Sequence, residues 1–213
     1  MPTVAPSSSC EPTWPDRRGR AEDGIFRSHG WGMIPVVELP IPTIETERLT
    51  LRPFREADAT ALFELSQDPD VMRYVGDRRI PTLQESWRGV AGMIGHWAMR
   101  GYGQWAIEER ASGEFIGRAG IINPVDWPGP EVGYLLGKTW WGNGYATEAA
   151  RAAMDWGFER VGFDELISLI FPENARSIAV ATRLGETLRG EADLWGNTVR
   201  VYAITRAEWA GHR

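Results

Sequence analysis

Cysteine is almost absent: the single Cys10 rules out an internal disulfide and any multi-cysteine metal site. Histidine is nearly as scarce, and His29, His96 and His212 are too far apart in the chain to show ligand spacing, so no metal is expected. There is no long apolar run, and no stretch approaches the ~20 apolar residues of a membrane-spanning helix. No basic start leads into an apolar core, so a secretory leader is not expected. Excess positive charge is missing too. The net charge is −6 at pH 7, whereas a nucleic-acid binder neutralises phosphates with clustered Lys and Arg. These absences leave a metal-free, cytoplasmic protein, without a membrane or nucleic-acid partner, as the expectation.

What is present divides into two parts. Seven of the fourteen prolines fall in residues 1–43, with Ser7-Ser8-Ser9, scattered Gly and Arg and no apolar period. That segment is expected to be disordered, and Met33 offers an alternative start just before the patterned region. The ordered domain is expected over 44–213. Residues 48–54 alternate polar and apolar as a half-buried strand does. Residues 56–67 and 82–99 carry apolar side chains at helical spacing; Asp68-Pro69 closes the first, and Gly101 and Gly103 the second. Residues 104–109 and 115–122 read as strands joined by a turn at Ser112-Gly113. A Pro/Gly loop (123–130), a strand (131–136), a Gly-rich turn (137–144) and a small-residue helix (145–160) follow, with Gly162 as its stop. Residues 164–171 are nearly all apolar, the mark of a strand buried on both faces. A helix (174–184) and two strands (186–192, 198–205) complete the order β-α-α-β-β-β-α-β-α-β-β. This is an α/β single domain with a mixed central sheet flanked by helices.

The chemistry concentrates at Trp140-Trp141-Gly142-Asn143-Gly144-Tyr145-Ala146-Thr147-Glu148, between a strand and a helix. Unpaired N–H groups and the helix dipole make such a terminus an anion site, and Gly142 and Gly144 let backbone approach a pyrophosphate. The dinucleotide fingerprint is incomplete, since Thr147 stands at its third glycine, and there is no Gly-Lys-Ser/Thr loop. A plain helix-capping turn remains the alternative. Ala146, Ala149, Ala150 and Ala153 would let the helix sit tightly on the sheet.

The run from Glu131 to Gly185 resembles the acyl-CoA-binding core of the GNAT acetyltransferases, whose loop reads Gln/Arg-x-x-Gly-x-Gly/Ala; here Thr139 departs at its first position. Trp-Gly-x-Gly-Tyr-Ala-Thr-Glu, together with Pro172-Glu173-Asn174-Ala175-Arg176-Ser177, resembles the RimJ/RimL-like branch, which acetylates protein N-termini. The resemblance implies a GNAT-type fold and acetyl-CoA as co-substrate. It further implies that amides from Gly142, Asn143, Gly144, Tyr145, Ala146 and Thr147 hold the pyrophosphate, and that strand backbone at Tyr134, Leu135 and Leu136 pairs with the pantetheine arm. Asn174 would reach the pantetheine and Ser177 the CoA sulfur, although Asn three residues before Ser also reads as a helix N-cap. Gly133 fits a bulge or a close backbone approach.

The family's usual catalytic residues are missing: Leu169 stands where some members have a strand Glu, and Ala181 where others have a Tyr acid. Glu131 is then the first base candidate, ahead of Glu191 and Asp193, with a solvated strand-end carboxylate as its bland alternative. Trp127 and Trp195 are candidates to line an acceptor groove or to act as loop anchors. Arg73, Arg78 and Arg79 could attract an acidic acceptor or form a solvated cluster. The expected acceptor is a primary amine, either a peptide N-terminus or a small molecule, attacking directly in a ternary complex. The alternative is a non-catalytic acetyl-CoA sensor. The sequence leaves monomer or homodimer open.

Overall fold

The computed structural model describes residues 39–212. Strands β1 (Ile44–Glu45) and β2 (Leu49–Arg52) lead into helices α1 (Asp58–Ser66), α2 (Pro69–Met72) and α3 (Leu83–Arg100). Strands β3 (Gln104–Glu109), β4 (Phe115–Ile122) and β5 (Glu131–Leu136) follow, then helix α4 (Tyr145–Trp156) and strand β6 (Glu165–Ile170). Helix α5 (Ala175–Arg183), the hairpin β7 (Thr187–Leu194) and β8 (Asn197–Thr205), and helix α6 (Arg206–His212) end the chain. Local chemistry explains the boundaries. Thr82 and Glu85 close a capping box on α3, and Gly101, at φ 74°, ends it in the left-handed conformation.

The eight strands form one mixed sheet in the order β1-β2-β3-β4-β5-β6-β8-β7, in which only β5 and β6 pair in parallel. Helix α4 covers one face, where Ala149, Ala150 and Ala153 are fully buried with Leu49, Trp105, Ile107 and Ile121. Without bulk on that stripe the helix lies close to the strands. The other face packs Ala106 and Leu135 against Phe54, Ala59, Leu62 and Val90 of α1, α3 and the segment before them. No helix among the described residues is long and apolar enough to cross a membrane.

Most elements lie where periodicity predicts them. The helix expected to reach Arg160 instead gives way at Trp156 to a π-helical turn, Gly157–Val161. There Gly157 packs on Ile121, whose Cδ1 would lie 2.4 Å from an added Cβ. Three short elements have no counterpart in the sequence pattern: β1, α2 and α6. Of the extension expected over 1–43, residues 1–38 lie outside the described residues. Upstream of Ile44, Ile41 packs on the core, and the Pro42 carbonyl accepts from Trp105 Nε1 at 2.8 Å.

Candidate active site

The site follows from how β5 and β6 part. They share one parallel register pair, Glu131 with Ile167, supported by a hydrogen bond from the Ile167 N–H to the Pro130 carbonyl at 3.0 Å. Beyond Glu131, β5 stays paired with β4 and β6 with β8, so a wedge opens between them. Backbone groups of successive strand residues point to opposite sides. The Leu135 carbonyl lies against Gly117 of β4, so Tyr134 turns its own N–H and carbonyl into the wedge. Two of the carbonyls on that side are engaged: Val132 by Ser168 Oγ at 3.4 Å and Leu136 by Trp141 Nε1 at 2.9 Å. Gly133 is a close approach and not a bulge, because an added Cβ would stand 3.2 Å from the Gln104 amide.

A cavity of about 1600 Å³ runs through this wedge. It is bordered by Glu131, Tyr134, Leu136, Asn174, Ser177 and the whole loop Gly142 to Thr147. Leu135 is the one expected residue left out, its side chain being in the core beneath α1. At the loop, Gly142 and Gly144 both sit at φ 82°, a conformation that disfavours any Cβ. No side chain caps the start of α4, so its first N–H groups remain available to an anion. The loop is pinned from the residue before β2: Arg48 Nη1 donates to the Asn143 carbonyl at 2.9 Å, and its Nη2 meets Glu148 Oε2 at 2.6 Å. Burial would raise the Glu148 carboxyl, but hydrogen bonds from Thr46 and Arg48 hold it below the usual range. Arg48, Arg151, Arg176 and Arg183 border the cavity alongside the acidic Glu47, Glu148 and Glu173; Arg48 is already paired with Glu148, so Arg151, Arg176 and Arg183 are the cations left for phosphates.

Asn174 does cap α5, its Oδ1 accepting from the Ser177 N–H at 3.2 Å. The Ser177 hydroxyl hydrogen-bonds to Tyr134, whose phenol is pushed up to about 12 by burial and stays protonated near neutral pH. Ala181 is buried, yet a tyrosine hydroxyl reaches the site from β5 instead.

At the other end, Glu131 Oε2 accepts from Trp127 Nε1 at 2.7 Å, and its carboxylate also takes the Leu169 N–H. Thus Leu169, where a catalytic side chain was missing, contributes its backbone. Burial pushes the Glu131 carboxyl up to about 7, against these donors and the charge of Arg118. Arg118 is itself half-buried beside Gln104, to whose Oε1 it donates, and desolvation lowers its pKa. The other base candidates do not reach the cavity. Asp193 accepts from the Gly196 N–H at 3.0 Å in a turn, and Glu191 is exposed on β7. Arg73 pairs with Asp70, and Arg79 with Asp77 and Glu85, while Arg78 lies over the Phe171 ring, so none is an uncommitted cation facing an acceptor. Trp127 and Trp195 both border the cavity and stack edge-to-face, centroids 5.5 Å apart.

One pair escapes sequence reasoning altogether. Glu186, 5% exposed, lies behind the wall, its Oε1 accepting from Ser168 Oγ at 3.1 Å. Its Oε2 has no hydrogen-bond partner among the described residues. Burial, with the nearby charge of Glu131, pushes this carboxyl up to about 7 as well. The only local signals are a serine inside an apolar strand and a glutamate directly after a helix-ending glycine. Among the described residues, no group of His, Cys, Asp and Glu is placed to hold a metal ion.

Comparison with known proteins agrees with this geometry. The family model described as an acetyltransferase (GNAT) domain matches residues 48–187. The Bacillus subtilis (strain 168) protein YkkB is 35% identical over 74% of this chain and 92% of its own length. An acetyltransferase structure from Agrobacterium tumefaciens superposes with a TM-score of 0.69 at 35% identity, covering 79% of this chain and 97% of that one. The fold alone is shared with RimL, the ribosomal L7/L12 alpha-N-protein acetyltransferase solved with coenzyme A. There the TM-score is 0.65 at 24% identity, over 77% of this chain and 98% of that one.

Proposed function

This chain belongs to the GNAT acetyltransferase family and is an acyltransferase, and we propose that it transfers the acetyl group of acetyl-CoA to a primary amine, a peptide N-terminus before a small amine, by direct attack in a ternary complex. The observation that carries this reading is Glu131: a carboxylate with its proton affinity raised to about 7, held by two N–H donors where the wedge begins to open.

The loop Gly142 to Thr147 and the start of α4 take the pyrophosphate, with Arg48, Arg151, Arg176 and Arg183 around it. Tyr134 backbone meets the pantetheine arm and leads the thioester toward Glu131. The neutral amine nitrogen then attacks the acetyl carbon, and an amide N–H of β5 polarises the carbonyl. Glu131 takes the proton the amine sheds, directly or through a water. The carbon–sulfur bond breaks, and the Ser177–Tyr134 hydroxyl pair donates a proton or hydrogen bond to the departing thiolate. No covalent nucleophile is needed.

Proton affinity also favours the α-amine. Holding a lysine-like amine of pKa ~10.4 neutral at pH 7 costs about 4.6 kcal/mol, against about 1–1.4 kcal/mol for an α-amine at ~7.7–8.0. A base titrating near 7 matches the second group far better. RimL, a structural neighbour, is named for action on a protein α-amine. The test is release of free thiol from acetyl-CoA with a panel of N-terminal peptides and small amines. Turnover with peptides over amines of lysine type supports the proposal. Tight acetyl-CoA binding without turnover of any acceptor rejects it.

A further inference from the structure

The hairpin of β7 and β8 turns on two residues, Trp195 and Gly196, which follow the paired Leu194 and precede Asn197. Both have positive φ, 52° and 77°. Two-residue turns of this kind favour Asn, Asp or Gly at the first position, because a bulky side chain there crowds the backbone. Nothing in the turn calls for a tryptophan. Gly196 relieves the second position, Asp193 accepts from its N–H at 3.0 Å, and Asn197 Nδ2 donates to the Trp195 carbonyl at 3.2 Å. Burial does not account for the residue either, since Trp195 is 63% exposed. Strain kept at an exposed aromatic points to a use for the ring.

The ring's neighbours suggest that use. It stacks on Trp127, whose indole N–H holds Glu131. Trp127 sits in the loop 123–130 beside Asp126, another residue at positive φ, 63°. Leu194 and Ile122 border the same end of the cavity. The nearest charges do not invite a second cation. Arg118 is positive and lies beside Glu131, Asp193 is committed to the turn, Asp126 is exposed in its loop and outside the cavity lining, and Glu131 must receive the proton of the reacting amine.

We infer that Trp195 and Trp127 form the specificity wall of the acceptor site, which selects primary amines carrying an apolar side chain next to the amine over hydrophilic or polycationic ones. The inference rests on the acetyl-transfer reading of the same cavity. A flat, half-open aromatic wall rewards an aliphatic or aromatic group through apolar contact, while the amine it carries is held at Glu131.

The test uses the full chain and its Trp195→Asn variant, which supplies the residue the turn itself favours. Peptides differing only in the first residue, Leu, Phe, Ser or Lys, are compared by kcat and KM, alongside KM for acetyl-CoA and Tm. Wild type should prefer Leu and Phe to Ser by about tenfold in kcat/KM, the scale of apolar discrimination in a pocket. In W195N that preference should collapse to within about twofold through KM for the apolar peptides, with Tm equal or higher. Trp195→Phe should restore part of it. The inference is overturned if W195N keeps the wild-type order, if all acceptors lose kcat equally while Tm falls, or if wild type favours the Lys peptide. Absence of turnover with every peptide, despite acetyl-CoA binding, would instead remove the catalytic reading and this inference with it.

Discussion

Replacing Glu131 with glutamine keeps the side chain's size and its ability to accept from Trp127 Nε1, but removes the basic site. With the carboxyl pushed up to about 7, roughly half the wild-type molecules carry the ionised base at pH 7 and about nine-tenths at pH 8. The profile of kcat/KM against pH should therefore climb to a limb near 7, with a second contribution near 8 from the acceptor's own α-amine. In Glu131→Gln the first limb should vanish and the second remain, because the amine must then deprotonate unaided. A positioned general base contributes roughly 10²–10⁴ in rate, so the variant should lose about that factor at pH 7 and recover part of it by pH 9. Glu186 makes the necessary control, since burial pushes its carboxyl up to about 7 too. Glu186→Gln should keep the limb and move it to lower pH, because a neighbouring negative charge has been removed. The assay is initial-rate thiol release across pH 5.5–9.5 at varied acceptor. If Glu131→Gln retains the limb near 7 while Glu186→Gln abolishes it, the base has been assigned to the wrong carboxylate.

Both carboxyls also act on stability, with a sign opposite to the usual acidic pair. A folded-state pKa raised from 4.5 to about 7 means that the folded chain binds the proton more tightly than the unfolded one, so stability falls as pH rises from 4.5 to 7 and stays lower above. The cost is up to about 3 kcal/mol for each group, so Glu131→Gln or Glu186→Gln should raise Tm at pH 8 by up to roughly 10 °C and leave it nearly unchanged at pH 4.5; a gain at pH 4.5 as large as at pH 8 would refute the linkage. Gly142→Ala meets no atom within 4 Å, so its penalty is the left-handed backbone alone, about 1–2 kcal/mol. Calorimetric titration should nonetheless show acetyl-CoA affinity falling about tenfold or more as the methyl enters the cradle; unaltered affinity in the folded variant would show that the pyrophosphate lies elsewhere. Ser177→Ala should lower kcat about tenfold with little change in acetyl-CoA affinity, because the thiolate and Tyr134 lose a hydroxyl and the Asn174 cap, made to the backbone N–H, is kept. Equal losses in affinity and kcat would assign Ser177 to binding instead.

The elements legible in the sequence include those with a strong local period, β3 to β6, α3 with its apolar stripe and α4 with its alanines, and also β2, α1, α5 and the hairpin of β7 and β8. Those that were not have no period to read. The strand β1 is two residues long, α2 is one turn begun by Asp68 and Pro69, and α6 is anchored mainly by Trp209, whose Nε1 donates to Asp155 Oδ1 at 2.9 Å. The cradle was legible for a similar reason. Its requirements are local, since positive φ at Gly142 and Gly144 and an uncapped helix start fall within a few residues of one another.

The acceptor end of the site is a product of topology, and this separates what a sequence shows from what it hides. Glu131 was nameable as a strand-start carboxylate, but its chemistry depends on being the last residue of β5 that pairs with β6. Its partners come from four separate places: Trp127 from a loop, Leu169 from the backbone of β6, Arg118 from β4 and Trp195, through Trp127, from a hairpin tip. No window of sequence holds any two of these at a recognisable spacing. Glu186 carries the same lesson further, because the charge of Glu131 reaches it through space across β6, with Ser168 holding its other oxygen. A carboxylate pair of this kind, with one member fully buried, is marked in sequence only by polar residues in otherwise apolar surroundings, Ser168 within β6 and Glu186 beside Leu184. Such misfits lower stability where they stand. Their presence beside a cavity is therefore the observation that most directly links the cost to the chemistry.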